Sequence, residues 1–289
     1  MIPGQFDYVR PADLEEALRI LTEREGEAKV LSGGYSLLPL IKLRLAQPGL
    51  LVDLGRVGGL DAITETGDEL RIGGRATHRQ IAEDPTIRSG YPLLTDAASG
   101  IGDPQVRNWG TIGGSVAHAD PSSDWPAVLL AAHASIVLRS AAGERVVPAR
   151  GFFIDAFQTG IEPTEVLTEV RIPRTHERSG GAYRKLERRA GDFATVGVAA
   201  KVKLDGSAIA EAGIGVTAVA PAPFAATDAE AVLVGQAPTE DLFRRAGQAA
   251  AAMSQPVADG HGPPDYKRAM VTEMTVRALR AAVERALAG

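Results

Sequence analysis

Cysteine is absent from all 289 residues. This excludes disulfides, catalytic thiols, thiolate zinc sites and any iron–sulfur cluster held by the chain itself. Redox chemistry would therefore need an organic carrier or a centre in another protein. Positive charge is not in excess: 31 Lys and Arg stand against 36 Asp and Glu, a net charge of −5. That balance argues against a protein that neutralises a nucleic-acid backbone. No stretch approaches the ~18 consecutive apolar residues of a membrane span. The opening residues Met1 to Tyr8 contain no basic segment leading into an apolar run, so a cytoplasmic location is expected. Aromatic residues are only 5% of the chain, against 32 Gly and 18 Pro. Small residues in tight loops are the result, and sites built from backbone groups are favoured.

What remains is ordinary globular composition, 45% hydrophobic and 23% charged. At ~150 residues per domain the length suggests two domains. After Pro11, Leu14, Ala17, Leu18 and Leu21 recur at helical spacing and predict a surface helix. Lys29 to Leu31 and Leu50 to Leu54 read as short buried strands. Ile63 to Glu65 and Glu69 to Ile72 flank a Thr-Gly-Asp turn, and helices are expected over 76–84, 92–99 and 125–132. Strand candidates follow at 136–138, 145–147 and 166–172. The polar stretch Arg174 to Gly181 lacks apolar periodicity and reads as the linker between domains. Beyond it, 195–204 and 209–218 face each other across Asp205-Gly206, and two helices close the chain, the first capped by Thr239.

Three motifs stand out. In Ser32-Gly33-Gly34-Tyr35-Ser36-Leu37 a strand stops at two glycines among hydroxyl side chains, where successive N–H groups can converge on an anion. Gly-Gly after a strand is more often a plain turn. Neither G-x-G-x-x-G nor a phosphate loop ending in G-K-[ST] occurs, which disfavours a Rossmann cofactor domain. The second motif, Thr111-Ile112-Gly113-Gly114-Ser115, repeats the combination after Asp103-Pro104-Gln105-Val106-Arg107-Asn108 and before Asp124, which could accept from a sugar hydroxyl or simply cap a helix. His118, Asp120 and Asp124 offer a metal-ligand reading, but such short strings arise by chance. The third is the basic run Tyr183 to Phe193, in which Arg184 and Arg188 are expected to be solvated. There is no G-x-S-x-G elbow, and His78, His133, His176 and His261 read as surface or cap residues.

Together with the Pro-Gly-x-Phe-Asp-Tyr opening and Lys185-Leu186-Glu187-Arg188-Arg189-x-Gly-Asp192, these motifs resemble the FAD-binding medium subunit of molybdenum hydroxylases, the carbon monoxide dehydrogenase and xanthine dehydrogenase family. The resemblance implies an α+β chain: a two-lobed FAD-binding domain of the p-cresol methylhydroxylase type over 1–175, with lobes of about 1–55 and 56–175, then a smaller α+β domain of sheet and helices over 181–289. It further implies one non-covalent FAD. Ser32, Gly33, Gly34, Tyr35, Ser36 and Leu37, with Thr111, Ile112, Gly113, Gly114 and Ser115, would hold its diphosphate and ribityl region. Asp124 would bind a sugar or ribityl hydroxyl, Ile101, Leu167 and Lys185 would line the flavin, and Phe193 would shield it. Gly33 and Gly113 would sit where the backbone approaches the diphosphate. No residue is assigned a catalytic or metal-ligating role.

The sequence departs from the family pattern Ala-Gly-Gly-His-Ser at Ser32 and Tyr35, at Ser115 where Asn or Asp is usual, and at Phe193 where Tyr is common. Every glycine remains. The implied partners are a large subunit carrying the molybdenum cofactor and a small iron–sulfur subunit, in a heterotrimer that twofold symmetry could double, and an external electron acceptor. Two other readings stay open: a free-standing FAD-dependent reductase or oxidase of the same fold, and a scaffold that has lost FAD.

Overall fold

A computed structural model describes residues 2–288. The chain opens with β1 (Asp7–Val9), α1 (Leu14–Glu23), β2 (Ala28–Leu31), α2 (Leu37–Lys42) and β3 (Leu50–Asp53), whose strands form a parallel sheet in the order β1-β3-β2. Helix α1 starts where Asp13 accepts from the Glu16 N–H at 2.8 Å, and its apolar stripe buries Ala17, Leu18 and Leu21 against this sheet.

The middle of the chain contains β4 (Ile63–Thr66), β5 (Glu69–Gly73), α3 (His78–Glu83), α4 (Pro85–Gly90), α5 (Pro92–Gly100), α6 (Pro104–Trp109), α7 (Ile112–His118), α8 (Asp124–Ala131), β6 (Ser135–Ser140), β7 (Gly143–Pro148), β8 (Phe153–Asp155), β9 (Gln158–Thr159) and β10 (Val166–Pro173). Five of these strands make an antiparallel sheet in the order β4-β5-β10-β6-β7. Every residue of α8 is buried, as expected of a helix that is apolar all round beyond its first residue, Asp124.

The last part holds β11 (Ser179–Leu186), β12 (Val196–Asp205), β13 (Ala208–Thr217), β14 (Phe224–Ala225), α9 (Thr227–Leu233), α10 (Glu240–Met253) and α11 (Pro264–Ala288). Its antiparallel sheet runs β11-β12-β13-β14. Alternation along β12 divides the work: Val196, Val198, Ala200, Val202 and Leu204 join the core under α10 and α11, while Ala199 faces the middle core with Tyr183. Glycines at 213 and 215 bring β13 against the carbonyls of Ala131 and Ala127 on α8, closer than any side chain would permit.

Several expectations change. The irregular connection is shorter than predicted, because Gly180 and Gly181 are buried strand residues; a Cβ on Gly180 would overlap the Ala282 carbonyl of α11. These glycines serve packing and not flexibility. Segment 112–118 is a helix despite two glycines, started by the Thr111 side chain accepting from the Gly114 N–H. Arg184 is not free in solvent: it donates to Asp96, which Arg285 of α11 also grips with two bonds of 2.8 and 3.0 Å.

His78 is buried, not a surface residue. Its Nδ1 accepts from the Trp125 indole at 3.0 Å, so the ring is neutral, and burial lowers its pKa to about 4. In the unfolded chain His78 protonates near its usual 6.5. Stability from the neutral ring is thus complete above that pH and is lost as pH falls toward 4, by about 3 kcal/mol in total. Urea unfolding between pH 7 and 4 should show this loss, and in NMR the His78 ring should stay neutral until near pH 4; a ring that titrates near 6.5 would contradict it.

Candidate functional site

The first glycine loop joins β2 to α2. Gly34 has φ +83°, a left-handed conformation that glycine adopts without strain. The N–H groups of Gly33, Gly34, Tyr35, Ser36 and Leu37 find no acceptor among the described residues. The Ser36 hydroxyl, at the start of α2, also makes no capping bond. Five successive free donors around a left-handed turn are what an anionic group such as a diphosphate requires.

The second loop is built differently. Ile112 N–H donates to Ala76, Gly113 to Gly74, Gly114 to Thr111 Oγ1 and Ser115 to the Thr111 carbonyl. The backbone donors from Ile112 to Ser115 are therefore engaged inside the chain. Gly113 is needed because a Cβ there would overlap the Gly74 backbone, and Gly33 because a Cβ would overlap the Trp109 carbonyl. The steric demand at both positions comes from the chain itself, where the sequence suggested approach of a diphosphate. Leu167 completes this stack, since its carbonyl lies against Gly74.

Side chains connect the two loops to the third motif. Ser32 Oγ lies 3.0 Å from Thr111 Oγ1, and Ser115 Oγ lies 2.7 Å from Ser123 Oγ. The next residue, Asp124, accepts from the Tyr183 hydroxyl and, at 3.3 Å, from Lys185 Nζ. Lys185 also donates to the carbonyls of Gly100 at 2.8 Å and Asp192 at 3.0 Å, the residues just before Ile101 and Phe193, and pairs with Glu187 at 3.2 Å. Phe193 is 58% exposed, whereas the Lys185 side chain is only 7% exposed. Hydrogen bonds thus join Ser32 to Thr111, Ser115 to Ser123, and the adjoining Asp124 to Tyr183 and Lys185.

Asp124 is not the helix cap; Ser123 occupies that position and Asp124 is the first helical residue. Burial pushes its carboxyl up, opposed by Lys185 and by the Tyr183 hydrogen bond. Burial and the neighbouring Asp124 hold Tyr183 far above its ordinary pKa, so it remains a donor. The metal-ligand reading fails on geometry: His118 packs on Phe157 at 5.1 Å between ring centroids, Asp120 accepts from Ser122 N–H, and Asp124 is committed to β11. No group of three or more His, Asp or Glu able to hold a metal exists among the described residues.

Sequence reading missed Trp109, Gly74 and the role of Tyr183. For Gly74 a signal existed, since Gly73-Gly74 ends a strand in the same way as Gly33-Gly34. The Trp109 contact is a carbonyl, which no residue type announces. The assembly offers an anion seat, a buried ammonium and an exposed aromatic ring. It contains no exposed acid–base pair, so its chemistry is binding and electrostatic tuning.

Residues 4–175 match the family described as the FAD binding domain in molybdopterin dehydrogenase, and 181–282 match the C-terminal domain of carbon monoxide dehydrogenase flavoprotein. The chain is 41% identical to the carbon monoxide dehydrogenase medium chain of Hydrogenophaga pseudoflava, covering 98% of each. A solved structure of carbon monoxide dehydrogenase from that organism, lacking the Mo-pyranopterin moiety of its molybdenum cofactor, superposes with a TM-score of 0.96 at 43% identity over 99% of both chains. Quinoline 2-oxidoreductase of Pseudomonas putida 86 superposes with a TM-score of 0.93 at 33% identity, over 99% of this chain and 100% of that one.

Because Gly33 abuts the Trp109 carbonyl, Gly33→Ala should destabilise the protein by about 1–3 kcal/mol even without a ligand. Thermal unfolding of the ligand-free variant measures this. Unchanged unfolding would contradict the packing demand at Gly33.

Proposed function

Because this chain belongs to the family of FAD-binding medium subunits of molybdenum hydroxylases, of the carbon monoxide dehydrogenase type, we propose that its FAD diphosphate sits on the free N–H groups of Gly33 to Leu37. That run of unpartnered donors is the observation that carries the assignment. It also shifts the weight between the two glycine loops: the first supplies backbone donors, while Thr111, Ile112, Gly113, Gly114 and Ser115 set its position from behind. The FAD-binding unit is taken as 1–175 and the C-terminal unit as 181–289.

When bound, FAD supplies reversible two-electron chemistry, and the chain positions it and tunes its surroundings. Lys185, held by Asp124, Glu187 and the carbonyls of Gly100 and Asp192, places a charge-paired ammonium next to the segments that carry Ile101 and Phe193. Binding is non-covalent: cysteine is absent, and the His78 ring is buried against Trp125. In this reading a partner subunit with iron–sulfur clusters delivers electrons taken from substrate at a molybdenum cofactor in a large subunit, and an external acceptor removes them. The complex is a cytoplasmic heterotrimer. Its organic or gaseous substrate is bound outside this chain, in keeping with relatives named for substrates as unlike as carbon monoxide and quinoline.

Adding FAD to the flavin-free chain should slow hydrogen exchange of the Gly33 to Leu37 amides; bound FAD without protection there would move the diphosphate elsewhere. The electron route is tested separately, with FAD-loaded protein mixed anaerobically with carbon monoxide, aldehydes or N-heterocycles. Flavin bleaching should require the molybdenum and iron–sulfur partners. Rapid bleaching by the isolated chain would favour a free-standing enzyme.

A further inference from the structure

A second feature lies away from the flavin seat. A cavity of about 300 Å³ opens beneath the connection between β10 and β11, bounded by the start of α5, the end of β10 and the C-terminal sheet. Its lining includes none of the residues assigned to FAD. One wall is apolar, made by Tyr91, Pro92, Leu93 and Ile172. The lining also includes Lys201.

Lys201 stands out because of its position. It follows Ala199 on the face of β12 that looks toward the middle core, where alternation would place another apolar side chain. It has no carboxylate within ion-pair distance among the described residues, and its only hydrogen bond is a long one of 3.4 Å to the Pro173 carbonyl. The other charged groups around the cavity are already engaged or turned outward. Arg285 is held by Asp96 and the Gly181 carbonyl, and Arg178 donates to the Gly206 carbonyl. His176 and Glu177 are exposed on the connection, and Glu211, the nearest acid acting on Lys201, is paired with Lys203 at 2.8 Å. Lys201 is half-buried, and that burial lowers its pKa, with Glu211 opposing the shift.

We propose that this cavity binds a small organic carboxylate, its apolar body against Tyr91, Leu93 and Ile172 and its carboxylate paired with Lys201. The volume lies at the lower end for small-molecule sites and suits a single ring or a short alkyl chain. A single ammonium above an apolar wall matches a monocarboxylate. A phosphate would call for several converging donors, which are found at Gly33 to Leu37 and not here. The site is joined to the flavin region by β11, since Ser179 to Gly181 line the cavity at one end and Lys185 lies near the other. Occupancy would therefore brace the strand that positions Lys185.

The test uses the full chain with benzoate as probe, and benzyl alcohol and inorganic phosphate as controls. After reductive 13C-methylation of the lysines, the Lys201 signal should titrate below those of the exposed lysines, and benzoate should move that titration upward in a saturable, one-site manner. Benzyl alcohol and phosphate should bind at least roughly tenfold more weakly, as should benzoate to Lys201→Met, which loses a charge-assisted hydrogen bond. Should Lys201→Met fail to fold, the methyl-lysine signal of the unsubstituted protein decides. An unmoved Lys201 signal, equal binding of benzyl alcohol, preferential binding of phosphate, or full benzoate affinity in a folded Lys201→Met would each overturn the proposal.

Discussion

The burial of one helix organises this protein. All eight residues of α8 are buried, and three parts of the chain are held in place by it. Trp125 fixes His78 at the start of α3, the glycines of β13 press onto its carbonyls, and Asp124 receives Tyr183 and Lys185 from β11. A carboxylate taken out of water requires such partners, because its desolvation is severe and removal of one partner leaves an unpaired buried charge. The ion pair that aligns the last sheet with the middle of the chain is thus the same one that sets the charge beside the proposed flavin position.

The two glycine loops look alike in sequence and behave oppositely. In the second, hydrogen bonds to Ala76, Gly74 and Thr111 satisfy the backbone, and the loop becomes a rigid floor. In the first, the same residue types leave successive donors open above that floor. Backbone-to-backbone contact at Gly33 and Gly113 replaces side-chain packing between the layers. Rigidity beneath and open hydrogen-bond donors above together make up the proposed anion seat, without a single arginine or lysine in the loop.

Local signals carried much of the fold. The stripe Leu14, Ala17, Leu18 and Leu21, the hairpin around Gly67 and the long hairpin across Asp205-Gly206 all form where periodicity and turn chemistry place them. Helix α7 was illegible because Gly113 and Gly114 lower helix propensity, and only the Thr111 cap and the close contact with Gly74 offset that. The short helices α2, α4, α6 and α9, of six or seven residues, were also not foreseen, being too short for a periodic stripe. His78 could not be recognised as a core residue, since its partner Trp125 lies 47 positions away. The motifs of the candidate site were visible as residue types. Which of them would keep their donors free depended on long-range backbone contacts that composition does not encode.

The placement of the two tryptophans gives the molecule a pair of separable optical reporters. Trp125 is fully buried in the middle core, whereas Trp109 is 65% exposed while its own carbonyl touches Gly33. An aqueous quencher such as iodide therefore reaches one indole and not the other. In the flavin-free chain the accessible fraction of the emission follows the surroundings of Trp109 and the shielded fraction follows the integrity of the interior, so local change near the first glycine loop and global unfolding can be distinguished without any label.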